Sequence, residues 1–151
     1  MRLAKTTPSA IVLLAQPERD DRDVYSESLR RRCFLPVPVP AAIDALALAP
    51  HVDIVVTDIL LHGHIDGVEL VARLKTDDRT RTTPVIVLTP CAWQSERDRA
   101  RAAGCDLFLA KPCLPDLLIS EIDRLLALYR LPKPQPAPAP YTPKVRHRRV
   151  L

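Results

Sequence analysis

The chain has 151 residues, 47% hydrophobic and 26% charged, with 16 prolines, four cysteines and a formal net charge of +4. That size and balance suit one globular domain with a full core and leave too little for two. They exclude a membrane-spanning helix, because no apolar run reaches bilayer width, and they argue against a zinc or disulfide scaffold, because Cys33, Cys91, Cys105 and Cys113 form no C-x-x-C pair.

The charge is unevenly placed. From Leu131 onward stand five basic residues (Lys133, Lys144, Arg146, Arg148, Arg149) and no acid, and removing them from the 22 basic residues leaves 17 against 18 acids. The body is therefore near −1 and the basicity belongs to the tail. The start, "MRLAKTTPSAIVLLAQPERDD", faintly echoes a signal peptide. Its apolar run is short, lacks a small-residue cleavage site and flows into a charged helical pattern, so it reads as a first strand. Reduced thiols in a cytoplasmic protein are the expectation.

In chain order, "AIVLLA" (10–15) is an apolar run of strand length, and "RDDRDVYSESLRRRC" follows with Val24, Tyr25 and Leu29 at helical spacing and Asp20 or Asp21 as N-cap. "FLPVPVP" (34–40) is a weak strand fit only for a sheet edge, since its three prolines remove ladder donors. "AAIDALALA" predicts a short helix stopping before Pro50. "VDIVVT" is the strongest strand, and "GVELVARLK" a helix with Val68, Leu70, Val71 and Leu74 on one side. "TPVIVLT" (83–89) is the next buried strand, "WQSERDRARAAG" a polar helix closed by Gly104, "DLFLA" (106–110) a fifth strand and "LPDLLISEIDRLLALYR" a final amphipathic helix. Five β-α pairs with continuously apolar strands predict a parallel α/β sheet covered by helices on both faces. The domain then spans 1–130. Residues 131–151, with six prolines and no glycine, form an extended, disordered basic tail.

In an open α/β sheet, ligands bind beyond the carboxyl ends of the strands. Asp58 ends the third strand, Thr89 the fourth, and Lys111 follows the fifth. A carboxylate, a hydroxyl and an ammonium on one rim suit a phosphoryl group: the carboxylate attacks phosphorus, and the other two bind its oxygens. Blander readings stand beside these. Asp58 is a solvated strand end or a salt-bridge partner of Lys111, Thr89 a hydroxyl bonded to backbone, and Trp93 either a partner anchor or a side chain packed on a neighbouring helix. His62 and His64, around Gly63, are pH-sensitive groups, weak metal ligands or merely solvated. The basic tail either solubilises the chain or contacts nucleic acid, membrane or an acidic partner.

The motifs "VDIVVTDILLHGHIDGVEL", "TPVIVLT" and "AGCDLFLAKPCLPDLL" together make the chain resemble a receiver domain of two-component response regulators over about residues 9–130. The resemblance implies a flavodoxin-like (βα)5 sheet in three layers, strand order 2-1-3-4-5. It makes Asp58 the phospho-acceptor, Thr89 the switch hydroxyl, Lys111 the phosphate-binding lysine, Pro112 a proline after a cis bond and Phe108 the aromatic that changes burial on activation, with a buried core residue as the alternative for Phe108.

Two departures qualify the match. The family places two acids after its first strand to hold magnesium, and Gln16 and Pro17 stand there. Proline offers no side-chain ligand and glutamine only a neutral amide oxygen. Glu18, Asp20 and Asp21 are expected to point elsewhere. Magnesium is thus expected to bind weakly, through Asp58 and the backbone carbonyl of Leu60, with no other cofactor. Losing it would slow phosphorylation by roughly two to four orders of magnitude. Pro90, after the switch hydroxyl, removes a backbone N–H.

The expected function is a single-domain response regulator, not an enzyme in its own right. It would be phosphorylated on Asp58 by a sensor histidine kinase or phosphotransfer protein and would signal to a downstream protein target through its fourth helix, fifth strand and fifth helix. The alternative is a phosphorylation-independent pseudo-receiver that docks or homodimerises through the same face. Sequence-specific DNA binding is a distant third, since a basic tail supplies charge without base readout.

Overall fold

The computed structural model of the chain describes residues 7–130. Its elements are β1 (Ile11–Ala15), α1 (Arg19–Arg31), β2 (Leu35–Val39), α2 (Ala42–Leu48), β3 (Ile54–Thr57), α3 (Gly67–Thr76), β4 (Val85–Thr89), α4 (Gln94–Ala103), β5 (Leu107–Ala110) and α5 (Pro115–Arg130). The five strands are parallel and ordered β2-β1-β3-β4-β5, the doubly wound arrangement expected. The tail at 131–151 lies outside the described residues.

The alternation of strand side chains sorts the core into two halves. Val12, Leu14, Ile54, Val56, Ile86 and Leu88 face α1 and α5, where Tyr25, Leu29, Leu118 and Ile122 meet them. Leu13, Val55, Val85 and Val87 face the other way, toward Ala45 of α2, Leu70 and Leu74 of α3, and Ala100 of α4. Each fully buried leucine or isoleucine stabilises the fold by roughly 1.5–3 kcal/mol before packing differences.

β2 is indeed an edge strand. Leu35 donates to Ala10 and Val39 accepts from Gln16 in the turn after β1. Odd-numbered residues therefore serve the ladder, while Pro36 and Pro38 turn their missing donors to the open edge.

Two local expectations change. The N-cap of α1 is Glu18, without a side-chain cap bond, and Asp20 and Asp21 fall in the first turn. Val24 is 53% exposed, since Tyr25, Ser26 and Leu29 make the buried stripe one step round the helix. α2 does stop before Pro50, at Leu48, and a single 3-10 turn, Ala49–His51, follows, which suits proline because its nitrogen needs no partner there. α3 is capped as the chemistry asks: the Asp66 carboxylate accepts from the Glu69 amide at 2.8 Å. Gly104 closes α4 at φ 103, a left-handed geometry that glycine adopts freely. Among the described residues no helix is long and apolar enough to cross a membrane.

Candidate phosphoryl-acceptor site

Parallel pairing brings every strand's carboxyl end to one rim, and the ladder sets which residues meet there. Ala15 pairs with Thr57, and Thr89 with Ala110. The next residues, Gln16, Asp58 and Lys111, emerge together just beyond the sheet. Their backbones remain tied to it: the Asp58 amide donates to Ala15 and the Lys111 amide to Thr89.

Asp58 is only 2% exposed, so the solvated strand end is excluded. Its Oδ1 accepts from the Thr89 hydroxyl at 2.6 Å and from the Leu60 amide at 3.2 Å, and its Oδ2 accepts from the Lys111 ammonium at 3.2 Å. The three groups singled out from the sequence thus share one cleft. Both oxygens of the buried charge are compensated, as burial of a carboxylate demands. Thr89 does more than orient the acid. Pro90 has no N–H to give, and the next amide, Cys91, donates back to the Thr89 hydroxyl at 3.2 Å. That contact fixes the hydroxyl between loop and carboxylate.

Lys111 is where the structure corrects the expectation for the β1–α1 turn. Asp21 points into the site, and its Oδ2 accepts from the Lys111 ammonium at 2.6 Å. Gln16, whose side chain is fully buried, accepts from the same ammonium through Oε1 at 2.5 Å. The reason is helical geometry: α1 begins at Arg19, so Asp21 stands one turn above Pro17 and reaches the cleft from the helix. Arg22 completes this wall by donating from Nη1 to the carbonyls of Gln16 and Pro17, each at 2.8 Å. Glu18 and Asp20 are exposed, as anticipated.

The donor set does not fit magnesium. That ion demands near-octahedral oxygen ligands and gives up water reluctantly. Here one side-chain oxygen from each of Asp58, Asp21 and Gln16 already accepts a hydrogen bond from the Lys111 ammonium, and Pro17 supplies no side-chain oxygen. Among the described residues no group of three or more His, Cys, Asp or Glu side chains is placed to hold a metal ion. Leu60 does adjoin Asp58, through its amide.

The remaining candidates divide. The bond before Pro112 is cis, and the following loop is held by the Tyr25 hydroxyl, which donates to the Cys113 carbonyl at 2.8 Å. Phe108 is half-buried on β5, with the Arg97 guanidinium carbon 4.8 Å from its ring centroid. Trp93 caps α4 and is 69% exposed, so it does not pack on a neighbouring helix. His62 and His64 are exposed and lie outside the cleft's contacts. All four cysteines are free.

Asp21, Arg22 and Gly67 were not singled out as site residues. For Asp21 the available signal was its spacing, one helical turn past the missing acid. Gly67 packs against the Asp58 backbone, a contact no local pattern announces.

Comparison with known proteins agrees with this geometry. A model of the response regulator receiver domain matches residues 13–123. The response regulator Rre1 of Synechocystis sp. is 35% identical over 74 residues, which make up 49% of this chain but only 32% of that regulator. The polar-differentiation response regulator DivK of Brucella ovis is 26% identical over 103 residues, covering 67% of this chain and 83% of DivK. A crystal structure of a putative response regulator from Chloroflexus aurantiacus superposes with a TM-score of 0.74 at 26% identity, covering 80% of this chain and 98% of that one. With a matching family model over most of its length and the acid, hydroxyl and amine in one cleft, the chain belongs to the response regulator receiver domain family.

Proposed function

We propose that the chain is a phospho-accepting switch in a cytoplasmic phosphorelay. A sensor histidine kinase or phosphotransfer protein presents a phosphohistidine, and an Asp58 carboxylate oxygen attacks phosphorus. The phosphorus–nitrogen bond breaks, and the imidazole leaves with the bonding pair and takes a proton. Thr89 and Lys111 then turn from the carboxylate to the new phosphoryl oxygens. The chain acts as the substrate of this transfer and catalyses no separate turnover. The observation that carries the reading is the convergence of the Thr89 hydroxyl and the Lys111 ammonium on one buried carboxylate, at 2.6 and 3.2 Å.

The output face is α4-β5-α5, for reception of a downstream protein or a second copy. The Cys91 amide donates to the Thr89 hydroxyl, the Arg97 Nε donates to the neighbouring Ala92 carbonyl at 3.1 Å, and the Arg97 guanidinium lies over Phe108 of β5, so movement of the hydroxyl reaches that face through three contacts. No nucleic-acid readout is assigned to it.

A second reading has its own support. With Gln16 and Pro17 in the acid-pair positions and Lys111 bound to Asp21, the same fold serves as a phosphorylation-independent docking module. One experiment separates the two. Incubation with a small phosphodonor, with and without magnesium, should add one phosphoryl group by intact mass, and Asp58→Asn should abolish it. No adduct under any magnesium concentration would overturn the switch in favour of the docking module.

A further inference from the structure

The Lys111 ammonium has three protons and three oxygens to receive them: Gln16 Oε1 at 2.5 Å, Asp21 Oδ2 at 2.6 Å and Asp58 Oδ2 at 3.2 Å. An ammonium has three donors and no acceptor, so this one is saturated. Its side chain is only 13% exposed, which shields the contacts from competing water. The point on which the cleft's side-chain oxygens converge is thus already occupied by a cation. The turn's main-chain oxygens are occupied too, since Arg22 takes the carbonyls of Gln16 and Pro17.

Charge completes the picture. Two carboxylates, Asp21 and Asp58, face one ammonium and one guanidinium, so this wall of the cleft is neutral as it stands. Glu18 and Asp20, the other acids of the turn, are exposed to solvent. A receiver with two acids at positions 16 and 17 beside Asp58 and Lys111 would instead carry a deficit of two positive charges. Here the charge that a divalent ion would supply is delivered by side chains.

We infer that the Lys111 ammonium, clamped by Gln16, Asp21 and Asp58, is the resident cation of this site and closes it to divalent metal ions. Asp21 is the residue that makes this work. It holds the ammonium over the β1–α1 turn, on the side where the acid pair would have been, more closely than Asp58 does. A divalent ion would have to shed water, displace a saturated ammonium and accept a proline in place of a carboxylate. The inference concerns the cation alone and holds whether or not Asp58 accepts a phosphoryl group.

The test is manganese titration of the full chain, read by paramagnetic broadening of backbone amide resonances. In the wild type the amides of residues 16, 18–22 and 58–60 should show no saturable broadening. Lys111→Met vacates the point of convergence and leaves two carboxylates and an amide oxygen around it, so this variant should show saturable broadening of the same amides. Lys111→Gln, which keeps a polar head, serves as the second variant if Lys111→Met does not give a dispersed amide spectrum. Saturable broadening in the wild type overturns the inference, and so does silence in a folded Lys111 variant, because the ammonium would then not be what excludes the metal. A wild type that binds manganese and is phosphorylated overturns this inference but not the switch; one that does neither overturns the switch alone.

Discussion

Gly67 lies so close to Asp58 that a methyl group built on it would stand 1.8 Å from the Asp58 carbonyl oxygen. The Gly67 amide also donates to the Ile59 carbonyl at 2.7 Å, so α3 starts directly against the backbone that carries the acceptor. Neither partner of the clash is a flexible side chain, and relief requires the acceptor loop or the helix to move. Gly67→Ala should therefore destabilise the fold by about 3 kcal/mol or more. Urea denaturation checks this, and amide shifts should concentrate at residues 58–60.

Thr89 is fully buried, and its hydroxyl gives Asp58 its shortest hydrogen bond. Thr89→Val keeps the shape and removes the donor. It also strips the Cys91 amide of its acceptor. A loss of roughly 1.5–3 kcal/mol is expected, as for hydrogen bonds to charged groups, with Thr89→Ser recovering most of it. A double-mutant cycle with Asp58→Asn should show a smaller effect of Thr89→Val once the charge is gone.

Leu88 points into the half of the core shared with α1 and α5, where its buried neighbours are apolar. Leu88→Asp would bury a carboxylate with no cation in that cluster. The expected loss is at least about 4 kcal/mol, or no folded protein at all. A mild change in the denaturation midpoint would contradict the strand orientation.

Tyr25 sets an alkaline limit to stability. Burial, with the nearby Cys113 and Asp21 charges adding to it, raises its pKa from 10.0 to about 12. The folded state therefore holds the phenolic proton more tightly than the unfolded chain does. This contribution is fully present below pH 10 and is lost as pH rises from there through about 12. Its upper size is about 3 kcal/mol, since one pKa unit corresponds to ~1.4 kcal/mol and the rise is from 10.0 to about 12. Tyr25→Phe should lower stability at neutral pH by about 1 kcal/mol through loss of the bond to Cys113, and should flatten the alkaline decline. Chemical denaturation across that pH range measures both effects.

Much of the fold was legible because its signals are local. Apolar runs too continuous for a solvated strand, helical spacing in 67–76 and Gly104 after a polar helix each depend on residues within one turn or one strand. The prolines of β2 declared an edge for the same reason. The misreadings came where a helix's rotation about its axis mattered. Val24 and Tyr25 are neighbours in sequence, yet one is exposed and the other buried, because the face is chosen by what α1 packs against.

The amino-acid sequence by itself determined that a parallel sheet would form and that Asp58, Thr89 and Lys111 would stand at its strand ends, because strand length and the parallel crossover leave those residues one rim to share. Only the tertiary structure decided what Lys111 binds. The ammonium's partners come from the turn after β1, the first turn of α1 and the end of β3, and their distances depend on how the helix seats on the sheet. A hydrogen bond is decided within tenths of an ångström, whereas sequence spacing places a residue only to within a turn or a register step.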